Sequence, residues 1–252
     1  MQTQFLLPPP ALAAYVRCRV ILWEPRLPGD MVVPLIANGH PGIVFQSTGG
    51  KDELLLYGQT VQPVEFNASG HLAIIAYFLY PPVMKAFFGF DAKEMTDRRI
   101  DLSLYPPATE MGLLQQLQDT TVLSTRLQLM DEYVQKLAVA GHADVHDAVA
   151  YATNAIQVAG GLISLQDLQR ELCVTERTFQ RLFESHVGLP PKIFRKICQF
   201  DAAFRQLNQG KFSRLADIAY AHDYADPSHF IRVFKEFTHR SPREYLKNMP
   251  DL

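Results

Sequence analysis

The chain has 252 residues, 48% of them hydrophobic, with a formal net charge of −2 and a sequence pI near 6.4. That content excludes a disordered chain and leaves room for two modest domains; the near-neutral charge, at first sight, argues against a basic partner-seeking surface. Cys18, Cys173 and Cys198 have no CxxC spacing, so they form neither a disulfide framework nor a four-ligand zinc site. Residues 1–10 lack a basic leader, and no later run approaches the roughly 18 apolar residues that a membrane helix needs, so a cytoplasmic protein without a membrane partner is expected.

Proline marks a change of texture along the chain. Pro8 to Pro10, Pro25, Pro28, Pro34, Pro41, Pro63, Pro81, Pro82, Pro106 and Pro107 lie in the first 107 residues, and the next is Pro190. Before that gap, alternating β-rich runs at 15–23, 31–36, 42–45, 54–57, 61–66 and 71–80 are separated by turn signals, which predicts six short strands in a small barrel or sandwich. Gly49-Gly50 reads as a hairpin turn. After Ala108 the period becomes helical, with segments at 111–117, 122–140 and 145–158. Leu123, Leu127, Met130, Val134 and Leu137 step by four and three, giving either an amphipathic helix on its own domain or a dimer seam.

The last hundred residues are the most specific. Ser164 with Asp167 opens a helix at 165–172, Cys173-Val174 turns the chain, and Thr175 caps a second helix at 176–186. Phe179, Leu182, Phe183 and Val187 share its inner face, leaving Arg177, Gln180, Arg181 and Glu184 outside. The pattern recurs at 213–237: Leu215 to Ala221, a turn at His222 to Tyr224, then Asp226 and Pro227 before a helix with Phe230, Val233, Phe234 and Phe237 inside and Ser228, Ile231, Arg232 and Lys235 outside. Phe179, Arg181 and Phe183 align with Phe230, Arg232 and Phe234. Residues 191–207 form one connecting helix of roughly 25 Å. These are two helix-turn-helix units.

The run from Ile218 to Tyr245 resembles the signature of AraC/XylS-family transcriptional regulators, and with the degenerate unit at 168–194 the resemblance covers about 100 residues. It implies an α+β multidomain protein: a β-rich sensor or dimerisation domain at 1–107, cupin-like in related regulators, a helical connector at 108–141, and an all-α DNA-binding domain at 142–252. It further implies recognition helices in successive major grooves of double-stranded DNA. Arg177, Gln180 and Arg181, then Ser228, Ile231 and Arg232, are the base-facing positions by alignment; Thr175, Thr178 and Lys235 complete the interface, and Lys192, Lys196 and Arg243 suit phosphates. A small-molecule effector, a homodimer, RNA polymerase for an activator, and a location at the cytoplasmic nucleoid are the implied context; no cofactor and no enzymatic activity are expected. The family prefers glycine in each turn, where this chain has Cys173 and Asp223, and again where it has His239; Pro190-Pro191 stands for Ser-Pro.

The segments 56–64 and 76–98 are similar to an uncharacterised β-rich domain found ahead of such modules. Trp23, Ile43, Phe45, Phe78 and Tyr80 are candidates either for a cavity lining or for plain core. No HxH pair occurs in the β-rich part, which disfavours a metal-dependent cupin enzyme fused to the DNA-binding module. Control by a protein partner docking on the β domain is the other alternative. His142 and His146 read as solvent-exposed, and Cys173 as a small buried turn residue. Split at residue 149, the near-neutral charge resolves into an acidic first part, with 10 basic against 15 acidic residues, and a mildly basic second part, with 14 against 11.

Overall fold

The computed structural model describes residues 1–141, 145–210 and 212–247. Eight strands form: β1 (Gln2–Leu6), β2 (Val16–Glu24), β3 (Met31–Leu35), β4 (Gly42–Thr48), β5 (Lys51–Tyr57), β6 (Val64–Ala68), β7 (Leu72–Leu79) and β8 (Arg99–Asp101). Six of them make an open antiparallel sheet in the order β1-β2-β7-β4-β5-β8, and β3 pairs with β6 as a separate ribbon. The six predicted strands are all present. The short edge strands β1 and β8 add to them, so the domain is a layered sandwich whose main sheet does not close on itself.

The period-two pattern explains the layers. On the central strand β4, Ile43 and Phe45 are buried with Leu54, Leu56, Ile75 and Tyr77 on one face, and Val44 with Val20, Ile74 and Ala76 on the other. The second face is covered by the β3-β6 ribbon through Val33 and Ala68. Ile43 and Phe45 are therefore core, while Trp23 is 48% exposed. Gly49 and Gly50, at φ 58° and 77°, close the β4-β5 hairpin as the Gly-Gly pair requires.

Helices cover the first face. They are α1 (Val83–Phe88), α2 (Ala108–Met111), α3 (Leu113–Gln118) and α4 (Leu123–Ala140). Met130, Val134 and Leu137 of α4 are buried in the same core as Phe45 and Tyr77, so this part of the four-three seam packs on its own sheet, while Leu123 at its start is 38% exposed. A polar tie crosses this layer: Arg19 on β2 pairs with Asp131 of α4 at 3.1 Å, and the Tyr77 hydroxyl donates to the same carboxylate at 2.8 Å. Burial, then the bond to Asp131, raises the Tyr77 phenol well above its ordinary pKa.

The C-terminal part is all helical: α5 (Asp147–Val158), α6 (Leu165–Glu171), α7 (Glu176–Val187), α8 (Pro191–Asn208), α9 (Leu215–Ala221), α10 (Pro227–Thr238) and α11 (Pro242–Lys247). Ser164, Thr175 and Asp226 cap α6, α7 and α10 through the amides of Asp167, Thr178 and His229. Ser241 and Glu244 complete a reciprocal capping box at α11. At α9 the cap is Arg214, whose amide donates to Asp217, one residue past the expected Ser213. One buried cluster spans both units, with Phe183 against Phe194 and Phe200 against Phe234, so α8 supplies core to each.

The three positions where the family favours glycine all have left-handed backbone: Cys173 at φ 52°, Asp223 at 56° and His239 at 57°. The first unit keeps glycine at the site equivalent to His239, where Gly188 has φ 91°. Cys173 is exposed, which corrects the expectation of a buried thiol: the turn projects its side chain into solvent. Because an unbranched non-glycine residue costs about 1 kcal/mol in this conformation, Cys173→Gly is expected to stabilise the protein by about that amount. A rise in the urea midpoint checks it, and an unchanged or lower midpoint refutes it.

Candidate nucleic-acid interface

Both helices α7 and α10 present the outer faces that the inner-outer assignment predicts. On α7, Phe179, Phe183 and Val187 are buried and Arg177, Gln180 and Arg181 are exposed; Thr175 is exposed at the cap and Thr178 is half-buried. On α10, Phe230, Val233, Phe234 and Phe237 are buried, Ser228, Arg232 and Lys235 are exposed, and Ile231 is half-buried. Among the described residues, Arg177, Arg181 and Arg232 form no ion pair. Guanidinium groups held on a rigid helix without an internal acceptor are suited to bidentate bonds with guanine edges or phosphates.

Capping removes two of the hydroxyls from free use. Thr175 Oγ1 accepts the Thr178 amide at 3.2 Å and bonds the Thr178 hydroxyl at 3.0 Å, so these two shape the start of α7. Lys192 is exposed and lines the same groove as Thr175 and Glu176. Lys196 is committed elsewhere: it pairs with Glu236 at 2.6 Å and its ammonium lies 5.6 Å from the Phe237 ring. Arg243 is exposed on α11.

No motif or periodicity indicates how the N-terminal domain meets α7. The turn at Ala92–Met95 lies against that helix, and Lys93 pairs with Glu184 at 2.8 Å. Glu184 in turn accepts from the Gln180 amide at 3.2 Å. The Lys93 ammonium, followed by the Gln180 amide, holds the Glu184 carboxyl below the usual carboxylate range. Beside this pair, Lys85 bonds Ser185, and the Thr96 hydroxyl donates to the Gly188 carbonyl at 2.7 Å. A side chain at Gly188 would come within 2.7 Å of the Ala92 carbonyl, so glycine permits the close approach as well as the positive φ.

A second junction lies at the loop after β3. His40 Nδ1 sits 3.0 Å from the Leu79 carbonyl, and its Nε2 lies 3.2 Å from the Gln157 amide nitrogen of α5. Burial holds this imidazole down to about 3, so the neutral ring donates through Nδ1 and accepts through Nε2. Ala37 joins the C-terminal core cluster. His146 stacks edgewise on His186 at 5.2 Å, so it is not simply a solvent-facing residue, while His142 lies outside the described residues. Among the described residues, no group of three or more His, Cys, Asp or Glu is placed to hold a metal, and no helix is long and apolar enough to cross a membrane.

A family model described as a helix-turn-helix domain matches residues 168–248, and one described as a domain of unknown function, DUF6597, matches residues 4–101. An uncharacterized HTH-type transcriptional regulator of Haemophilus influenzae is 31% identical over 85 residues, which is 34% of this chain and 28% of that relative. The chain thus matches well under a third of that protein's length. Among solved structures, ToxT from Vibrio cholerae O395 superposes with a TM-score of 0.54 at 12% identity, covering 99% of each chain. ToxT bound to (E)-4-(8-methylnaphthalen-1-yl)but-3-enoic acid gives 0.53 at 11%, covering 98% of this chain and 99% of that one. At these identities the likeness is one of fold, and it extends over both domains. The paired helix-turn-helix units on a shared α8 fall within the matched 168–248 and the β-rich domain ahead of them within the matched 4–101, so the chain carries a helix-turn-helix domain preceded by a DUF6597 domain.

Proposed function

We propose that the chain is a DNA-binding transcriptional regulator of the AraC family, which places α7 and α10 in successive major grooves and reads sequence through Arg177, Gln180, Arg181, Ser228, Ile231 and Arg232. Residues 1–107 serve as the sensor, 108–141 as the connector and 142–252 as the reader. The observation that carries this reading is the unpaired, exposed arginine set on two helices whose inner faces share one core. Arg181 and Arg232 are the best guanine readers, Gln180 suits adenine, and Ile231 suits a thymine methyl. Lys192, Lys235 and Arg243 neutralise phosphates, with Thr175 and Thr178 fixing the start of α7. Arg181→Ala is expected to weaken specific binding by about 1–3 kcal/mol and to relax one base position. Equal losses on specific and random DNA, measured by anisotropy at fixed salt, would move Arg181 to the phosphates.

Control by a small molecule at the N-terminal domain is the favoured regulation. A polar cavity of about 620 Å³ between the β4-β5 hairpin, β6 and the 97–99 segment is lined by Glu53, Tyr57, Glu65, Asp97 and Arg99 among others. The ToxT complex named above holds a small organic acid, which supports effector control in a protein of this fold. A thermal-shift screen tests it: a polar compound that raises the unfolding temperature, and loses that effect in Glu53→Ala, supports the cavity. Uniformly null results favour the alternative of a docking protein. Homodimers would offset the modest +3 charge of residues 150–252, and contact with RNA polymerase follows if the protein activates. The regulator reading assigns no enzymatic step to the chain.

A further inference from the structure

We propose that Glu184 is a positioning residue for base reading by Gln180, and that Lys93 of the N-terminal domain sets Glu184 in place. The inference rests on Gln180 being a base reader. A glutamine amide offers one carbonyl and two N–H groups, and an adenine edge uses only the carbonyl and one N–H. In this structure the Gln180 Nε2 donates to Glu184 Oε1 at 3.2 Å. That leaves one N–H and Oε1 for a base and fixes which end of the amide is which.

Glu184 is held in turn. Its other oxygen accepts from Lys93 Nζ at 2.8 Å. An isolated surface pair of this kind contributes little. Here the segment around Lys93 is also held to α7 beyond Glu184, by Asp91 on Ser185 and by Thr96 on the Gly188 carbonyl, and Lys85 of α1 bonds the same Ser185. A carboxylate that swings away therefore loses a cation whose backbone is held beside it. Lys93 also offsets a negative charge on a helix face that must approach phosphates. The chain Lys93, Glu184, Gln180 thus links a turn of the N-terminal domain to a base-reading amide in two bonds. A shift of that turn relative to α7 would loosen the amide and change which bases are preferred, not only how tightly DNA is held.

The test is selection of the full-length protein and its variants on a randomised double-stranded DNA library, followed by affinities for single-base variants of the selected sequence. Gln180→Ala identifies the position it reads. Glu184→Ala is expected to lower discrimination at that position about two- to tenfold, the range set by ordering one rotamer-rich side chain, with other positions unchanged. Lys93→Ala should shift the same position in the same direction, and Lys93→Arg should restore it. Lys93 has a side chain 65% exposed, so its replacement leaves folding intact. If Glu184→Ala and Lys93→Ala leave that position at the parent level, or weaken every position alike, the relay is wrong while Gln180 remains a reader. If Gln180→Ala moves no position, base reading by Gln180 and the relay fall together.

Discussion

Asp131→Ala is expected to destabilise the N-terminal domain by about 3–5 kcal/mol, because it strands a buried cation. Arg19 and Asp131 have side chains only 12% and 18% exposed, and the Arg19 guanidinium otherwise donates to the Leu7 carbonyl at 2.8 Å and lies 5.8 Å from the centre of the Tyr77 ring. Its Nε has no hydrogen-bond partner, so there is no spare acceptor to take over. Tyr77 loses a partner as well and keeps the Leu127 carbonyl at 3.1 Å. Hydrogen exchange of the α4 amides reads the effect locally, since α4 is the element that the tie holds to the sheet. Asp131→Asn keeps an acceptor for both partners and should lose less. Replacing the pair together, Arg19→Met with Asp131→Leu, should recover most of the stability. Protection of α4 within 1 kcal/mol of the parent in Asp131→Ala would show that the charge is solvated after all.

Phe234→Ala is expected to cost about 3–5 kcal/mol and to abolish specific DNA binding at accessible concentrations. The ring is fully buried and packs against Phe200, Phe204, Phe230 and Tyr245 at centroid distances of 5.7, 5.9, 5.8 and 5.7 Å. These contacts join α10 to α8 and α11, so the cavity loosens the helix that carries Arg232. Phe234→Leu keeps most of the volume and should lose less than half as much. The equivalent ring of the first unit, Phe183, touches Phe179 and Phe194, so its loss should act on α7 in the same way. A Phe234→Ala protein with parent stability by urea titration would mean that the site collapses around the void.

Much of the reader was legible in the sequence because its signals are local. Thr175, Asp226 and Pro227 mark helix starts within one residue, and the repeated Phe-x-Arg-x-Phe spacing separates inner from outer faces over a single turn. Cys173, Asp223 and His239 were recognisable as left-handed positions because glycine is favoured at the equivalent sites. The edge strands were not legible: β1 opens Gln-Thr-Gln with three of its five residues exposed, and β8 has three residues. No periodicity announces so short or so polar a strand. The exposure of Cys173 was missed because a turn's direction depends on the helices it joins. The Lys93 contact with Glu184 was beyond any pattern, since it joins residues 91 apart through two separately folded surfaces.

The shared core across α8 constrains the DNA as much as the protein. Phe194 and Ile197 serve the first unit while Phe200, Ala203 and Leu207 continue the same buried cluster into the second, leaving no hinge between the readers. Two readers that cannot swivel act as a fixed caliper. A target whose contacted elements are slightly too far apart, or rotated, must bend or untwist to fit, and that distortion is easier for some base steps than for others. With α7 and α10 in successive grooves as proposed, selection is then expected also in the stretch between the two footprints, at base pairs that none of the side chains reaches.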